Sequence, residues 1–267
     1  MKEAQELLEV IKRMRPNGIY NRTSDEIRAD MTRRANAAEG DLKGFNCRLC
    51  NNLGYVMDYD EFGDMYATEC SCMPMRRSLR RIEKSGLGDL LKKYTFENWQ
   101  IVDHWQARAK ELAERYVLDG QGWFLAAGRS GSGKSHLCTA ICKSLLENGA
   151  ETIYMLWRDI AVQAKATVND GEEYAKIVEP LKRVPVLYID DLFKTGKGQS
   201  PTTADVNLAF EILNARYSNP HLMTVISTER TLPELMDIDE AVGGRIYERS
   251  KGYRLDFSDK PNWRLRR

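Results

Sequence analysis

Three groups of residues in this chain have the types and spacing that chemistry requires. The run Gly128-Arg129-Ser130-Gly131-Ser132-Gly133-Lys134-Ser135 has the form G-x-x-x-x-G-K-S, a Walker A loop whose backbone N–H groups cradle nucleotide phosphates. Its glycines let the backbone approach phosphate with no Cβ in the way, and a helix starting near Lys134 aims its N-terminal dipole at the same place. Lys134 then reaches the β- and γ-phosphates as a point charge, Ser135 offers a hydroxyl to magnesium, and His136 sits in the same first turn. The second group is Asp190-Asp191, which closes the apolar run Val186 to Ile189. Two acids at a strand end often do no more than cap a loop. Behind a Walker A loop they read as Walker B, with Asp190 holding magnesium directly or through water and Asp191 orienting the attacking water.

The third group is Cys47-x-x-Cys50 and, after nineteen residues, Cys70-x-Cys72. Four thiolates fill a tetrahedral zinc shell, and a closed shell makes the metal structural rather than catalytic. The alternative is free thiols in a small domain without metal. Two short strands, Gly54 to Met57 and Met65 to Thr68, flank the acidic turn Asp58 to Asp64, as in a zinc-stapled hairpin.

These groups need scaffolding, and the pattern predicts it. Trp123 to Ala127 reads as the strand delivering the Walker A loop and His136 to Leu146 as the helix leaving it. Further strands are expected at Thr152 to Leu156, Val186 to Ile189, Met223 to Ile226 and Tyr253 to Phe257. Helical stretches cover Trp105 to Leu118, Asp159 to Lys182 with a break at Asn169-Asp170-Gly171, Thr203 to Tyr217, and the region around Leu232 to Met236. Val206, Phe210, Leu213 and Tyr217 are expected to face inward. Alternating strands and helices predict an α/β fold with a parallel sheet. Cys138 and Cys142, one turn apart, read as buried small hydrophobes.

Ahead of this core, helices are expected around Leu7, Leu8 and Ile11 and from Ser24 to Ala38, separated by Pro16-Asn17-Gly18. After the cysteines, Met75, Leu79 and Ile82 form an apolar stripe with Arg76, Arg77, Arg80 and Arg81 on the other faces. That basic patch suits nucleic acid, an acidic partner or plain solvent. Ser85-Gly86-Leu87-Gly88 breaks the helix, which divides the chain into a helical, zinc-binding, partner-binding domain over 1–90 and an ATPase domain over 91–267. Composition adds limits. With 42% hydrophobic residues there is enough apolar material for a core, and a formal net charge of +1 leaves no global field for nucleic acid. No run approaches the roughly 18 apolar residues of a membrane helix, and Met1-Lys2-Glu3-Ala4 is not a signal peptide, so a soluble cytoplasmic protein with no membrane partner is expected.

With Walker A, Walker B, the polar strand end Ser227-Thr228-Glu229 and Gly243-Gly244-Arg245 in this order, the chain resembles the DnaC/DnaI helicase loaders and the related IstB ATPases of the AAA+ superfamily. The cysteine cluster, the basic helix and the Tyr94 to Trp99 connection resemble the DnaI-type and phage-borne members. The resemblance implies an AAA+ core without a C-terminal lid domain, the ten residues after Phe257 being too few for one, so that another subunit covers one face of the nucleotide. It also implies ATP, Mg2+ and Zn2+ as ligands, ATP hydrolysis, self-association through the ATP sites, a replicative DNA helicase as partner and binding of single-stranded DNA. Arg245 matches the family's arginine finger, with Arg216 and Arg249 as rivals for that contact in trans. The sensor strand end departs from the pattern: Glu229 stands in the place of an Asn. An acid there repels the γ-phosphate unless it is paired or turned away, which leaves Thr228 as the expected sensor. Alternatives are an IstB-like ATPase regulating a transposase, a P-loop small-molecule kinase, and a zinc-ribbon nucleic-acid binder with a vestigial ATPase.

Overall fold

The computed structural model describes residues 23–42, 46–84, 88–196 and 198–265; the side chains of 79 and 81–84 are outside that description. The helix expected around Leu7, Leu8 and Ile11 and the turn at Pro16 lie outside the described residues. The chain divides into two compact units, 1–73 and 74–267.

In the smaller unit, helix α1 (Ser24–Ala37) begins at a capping box in which Thr23 accepts from the Glu26 N–H and Glu26 from the Thr23 N–H. No side chain of α1 is buried. What ties α1 to the hairpin β1 (Tyr55–Tyr59) and β2 (Met65–Glu69) is Asn36, whose amide donates to Met57 O (3.0 Å) and accepts from Met57 N–H (2.7 Å). The hairpin is antiparallel from Tyr55 opposite Glu69 to Tyr59 opposite Met65.

Helix α2 (Met73–Lys84) begins at the division and packs as part of the larger unit, whereas the glycine breaker predicts a division near residue 90. The physical reason is Ser78, which is fully buried and whose Oγ accepts from Thr152 N–H at 2.9 Å. Arg76 is likewise only 3% exposed, so it does not belong to a solvated basic face, while Arg80 is exposed.

The larger unit continues through α3 (Gly88–Lys93), α4 (His104–Asp119), β3 (Trp123–Ala127), α5 (Lys134–Glu147), β4 (Thr152–Leu156), α6 (Trp157–Ala166), α7 (Gly171–Arg183), β5 (Val186–Asp190), α8 (Thr203–Tyr217), β6 (Met223–Thr228), α9 (Leu232–Ile238), α10 (Glu240–Arg249), β7 (Arg254–Asp256) and a 3-10 turn at Trp263–Leu265. Gly243-Gly244-Arg245 therefore lies inside a helix. The five strands of this unit form one parallel sheet in the order β4-β5-β6-β3-β7. Crossing helices cover both faces, as parallel sheets require. Alternate residues sort to the two sides. Leu125, Leu187, Ile189 and Ile226 pack with α6, α7, α8, α9 and α10, while Phe124, Tyr188 and Val225 pack with α4 and α5. Cys138 and Cys142 are fully buried on the second side. The carboxyl ends of β3, β5 and β6 come side by side, with Ala127 opposite Thr228 and Ile189 opposite Ile226.

Helix α8 is rotated from expectation. Leu208, Ala209, Ile212, Leu213 and Arg216 are buried, whereas Phe210 is 37% exposed and Val206 and Tyr217 are half-buried. Arg216 explains the offset. Its guanidinium is fully buried and donates to Leu181 O, Val184 O, Met223 O and Thr224 Oγ1 at 2.7 to 3.0 Å. Two of those carbonyls lie at the C-terminal end of α7, where the helix dipole favours a cation. Burial lowers the Arg216 pKa to about 10. Arg216 thus joins α7, α8 and β6 from inside and is not available to a neighbouring subunit.

Candidate nucleotide site and cysteine cluster

The Walker A loop leaves β3 at Gly128, whose φ is +112° and whose N–H donates to Thr228 O. A Cβ there would lie 2.5 Å from the backbone N of Ser258, so Gly128 is needed for conformation and for space, while Gly131 (φ +74°), where a Cβ would meet only the end of the Asn262 side chain, is needed for conformation. Helix α5 starts after Gly133, and its first internal bond runs from Leu137 N–H to Gly133 O. The amides of Lys134, Ser135 and His136 therefore have no acceptor within their own helix, the condition that makes a helix start an anion site. Lys134 is 5% exposed, with Nζ donating to Gly128 O and Arg129 O, both at 2.7 Å. Ser132 braces the same turn through Arg129 O, and the Arg129 side chain is exposed. Burial lowers the Lys134 pKa, with Glu229 and Asp191 acting in the opposite direction.

Asp190, 7% exposed at the end of β5, is where hydroxyls converge. Its Oδ1 accepts from Ser135 Oγ (3.1 Å), Tyr188 OH (2.9 Å) and Ser227 Oγ, and its Oδ2 from Tyr154 OH (3.2 Å). Burial, reinforced by Asp190, holds both tyrosine hydroxyls well above their ordinary pKa, so they remain donors. Ser135 and Asp190 are thus adjacent oxygens at the helix start, the pair that a Walker site offers to magnesium.

Past Asp190 the backbone is strained. Asp191 and Phe193 both have φ +57°, a region that costs a non-glycine residue on the order of 1 kcal/mol or more. Neighbours hold it there. Ser227 Oγ accepts from Asp191 N–H, Ser227 O accepts from Leu192 N–H, Thr228 Oγ1 donates to Leu192 O, and the Phe193 ring meets Trp157 edge-on. Thr228 is fully buried by this role, and its Oγ1 also accepts from Arg230 N–H. The residue of that strand end that lines the cleft is Glu229. Its pairing is with Lys194, whose Nζ bridges Glu229 Oε1 (3.0 Å) and Asp191 Oδ2 (2.7 Å). Burial works against the Glu229 carboxylate, but hydrogen bonds from Lys194 and Ser130 and the charges of Lys194 and Lys134 together outweigh it and lower the pKa; the same two acids raise that of Lys194 against its own burial. Sequence reasoning misses Lys194. The signal for it is Glu229 itself, an acid beside a phosphate site that requires a nearby cation.

Ser130, Lys134, Asp191, Lys194, Glu229 and Arg264 are among the residues lining a cleft of about 380 Å³. A neighbouring lobe of about 440 Å³ is lined by Tyr94, Trp99, Gln106, His136 and Trp263. Tyr94 stacks on His136 at 4.8 Å, and His136 Nε2 donates to Thr95 O. Burial lowers the His136 pKa, which favours a neutral ring.

The two remaining arginine candidates lie elsewhere. Arg245 donates to Asn214 Oδ1 (3.0 Å) and Ala241 O (2.8 Å), and its guanidinium sits 4.9 and 5.4 Å from the rings of Phe210 and Tyr217. None of these partners lines the cleft. Phe210 and Tyr217, expected in the core, instead form the platform for this arginine. Arg249 donates to Pro220 O.

In the smaller unit Cys47, Cys50, Cys70 and Cys72 bring their Sγ atoms within 4.8 Å of one another, with Cys47 and Cys70 at 3.8 Å and Cys50 and Cys72 at 3.7 Å. A tetrahedral ion with Zn–S of about 2.3 Å sets its sulfurs about 3.8 Å apart. Gly54 N–H donates to Cys50 Sγ, and Asn51, Asn52 and Gly54 turn the chain at positive φ. The four sulfurs are compatible with zinc.

The sequence pattern of the IstB-like ATP binding proteins matches residues 56–242, which spans both Walker elements. The chain belongs to this IstB-like ATP-binding family. It is 30% identical over 228 residues to the phage-like element PBSX protein XkdC of Bacillus subtilis (81% of this chain, 84% of that protein). It is 32% identical over 128 residues to the replicative helicase loader DnaC of Escherichia coli K12 (46% of this chain, 51% of that protein). Among solved structures, that of the DnaC helicase loader superposes with a TM-score of 0.52 at 20% identity over 62% of this chain and 96% of that one, a likeness of fold. This IstB-like chain is an ATP-binding P-loop ATPase of the AAA+ class. Among the described residues, no helix is long and apolar enough to cross a membrane.

Lys194→Ala leaves Asp191 and Glu229 facing the phosphate cleft without their shared cation. The expected result is ATP affinity lowered about tenfold, recovered in large part by adding Glu229→Gln. A double-mutant cycle by calorimetric titration checks this, and additive losses would contradict the coupling.

Proposed function

We propose that this chain is an ATP-dependent loader that delivers a replicative hexameric DNA helicase onto single-stranded DNA, the larger unit serving as the ATPase and the smaller as the partner-binding, zinc-stapled unit. The observation that carries the reading is a complete Walker A and Walker B constellation, in a chain similar to DnaC, behind a separate unit with four clustered cysteines. In this reading the residues 128–136 bind the triphosphate, with Lys134 on the β- and γ-phosphates. Ser135 and Asp190 hold magnesium, which when bound neutralises charge on the phosphates. Asp191 orients the attacking water once Lys194 is drawn from it toward phosphate. Thr228 acts at one remove, by keeping the 191–193 backbone in its strained path. Arg245 acts on the ATP of a neighbouring subunit. A guanidinium there stabilises charge developing on the γ-phosphate, an effect worth roughly a thousandfold where such fingers have been measured. Support comes from its place on α10, away from its own cleft and held on an aromatic platform.

The smaller unit holds one zinc per chain in this account, because a small unit with no buried side chain in α1 has little core beyond the thiolates. Metal analysis of protein purified without chelator is expected to give a stoichiometry near one, and zinc removal to unfold the 47–72 hairpin. A stoichiometry near zero with four freely titratable thiols would contradict this.

Loading is tested with the replicative helicase of the same genome and circular single-stranded DNA. The intact chain is expected to bind the helicase and transfer it to the circle only with ATP. Lys134→Ala should keep the helicase complex and lose transfer, and Arg245→Ala mixed with Lys134→Ala should regain ATPase activity that neither has alone. Failure to bind helicase, together with a stable complex with a transposase, would overturn the loader in favour of the transposase regulator that the family's description also suits.

A further inference from the structure

The segment that follows β7 folds back over the Walker A loop and is fastened at its start and at its middle. Phe257 N–H donates to Ala127 O at 2.7 Å, just before Gly128, and Trp263 N–H donates to Gly131 O at 2.8 Å. Between these points the Asn262 side chain lies against Gly131, within the space a Cβ there would need, while Asn262 Oδ1 accepts from Arg264 N–H at 3.0 Å and fixes the 3-10 turn. Phe257 is buried and meets Trp105 edge-on, and Lys260 Nζ lies 5.7 Å from the same Trp105 ring. The strap is therefore a built part of the site. Its two following side chains divide between the lobes: Trp263 lines both, and Arg264 lines only the lobe containing Lys134 and Lys194. That phosphate lobe carries Lys93, Lys134, Lys194 and Arg264 against Asp191 and Glu229, four cations to two carboxylates, and so favours an anion. The other lobe shares Trp263, Tyr94 and His136 with the first, adds the Trp99 ring, and has no carboxylate among its lining residues.

Resting on the reading of this cleft as the ATP site, we propose that the strap Asn262-Trp263-Arg264 is the wall of that site supplied by the same chain: Trp263 receives the nucleotide base and Arg264 the phosphates. The subunit thus covers part of its own nucleotide, and a neighbour need supply only the catalytic arginine. Base recognition is through stacking, so it discriminates nucleotides from inorganic polyphosphate more strongly than one base from another.

The two roles separate in binding measurements on the full chain with ATP and with inorganic triphosphate. Trp263→Ala is expected to weaken ATP about tenfold and leave triphosphate unchanged, with Trp263→Phe restoring most of the difference. Arg264→Ala is expected to weaken both ligands about equally; its side chain is exposed, so its removal does not threaten the fold. Unfolding curves are run on each variant, and Lys134→Ala serves as the control that must lose both ligands. If the intact chain binds ATP, Lys134→Ala does not, and both strap variants bind ATP as the intact chain does, the strap assignment is overturned while the ATP site stands. If the intact chain binds neither ligand, the ATP-site reading itself fails.

Discussion

A buried carboxylate must be given hydrogen-bond donors to replace its lost hydration, and at Asp190 that requirement organises the centre of the protein. Its four donors come from four elements: Tyr154 on β4, Tyr188 on β5, Ser227 on β6 and Ser135 at the start of α5. No one of those hydroxyls is unusual. Together they fix the relative heights of three neighbouring strands and lock the helix that follows the phosphate loop to the strand carrying the acids. Two of the donors are tyrosines that burial keeps protonated, so both remain donors near neutral pH.

The same strand ends carry the strain that the site needs. Two non-glycine residues in left-handed conformation within three positions are unfavourable alone, and they persist because Ser227 and Thr228 bind the backbone between them. Asp191 is turned by this path toward Lys194 and the cleft rather than along the sheet. The polar strand end of β6 therefore works mainly through backbone geometry, and Glu229 beyond it acts through charge. Lys194 ties the two together by bridging both carboxylates, and in the proposed function the approach of phosphate draws it away and releases the Asp191 carboxylate.

Much of this was legible in sequence where local rules dominate. The glycines of the Walker loop, the apolar strand ending in Asp190 and Asp191, and the cysteine spacing each depend on short-range chemistry, and residues 123–127, 152–156 and 203–217 form the elements that their periodicity predicts. What escaped depends on contacts distant in sequence. Arg216 reads as a candidate for the trans contact because nothing nearby shows that four oxygens, from the end of α7 and from β6, await it, and that single misreading turns the inward face of α8 and hides the use of Phe210 and Tyr217. Arg76 and Ser78 escaped for the same reason, as did the return of residues 257–265 over the loop, since no local pattern in that segment announces its destination.

In the proposed function the Asp190 carboxylate, presented beside the Ser135 hydroxyl, holds magnesium on the bound nucleotide. The direct measurement is ATP affinity as a function of magnesium concentration for the intact chain and for Asp190→Asn, an exchange of nearly equal volume. The account predicts that magnesium strengthens ATP binding to the intact chain by tenfold or more and has little effect on Asp190→Asn, which still binds ATP weakly in chelator. An unchanged magnesium dependence in a folded Asp190→Asn variant would contradict it.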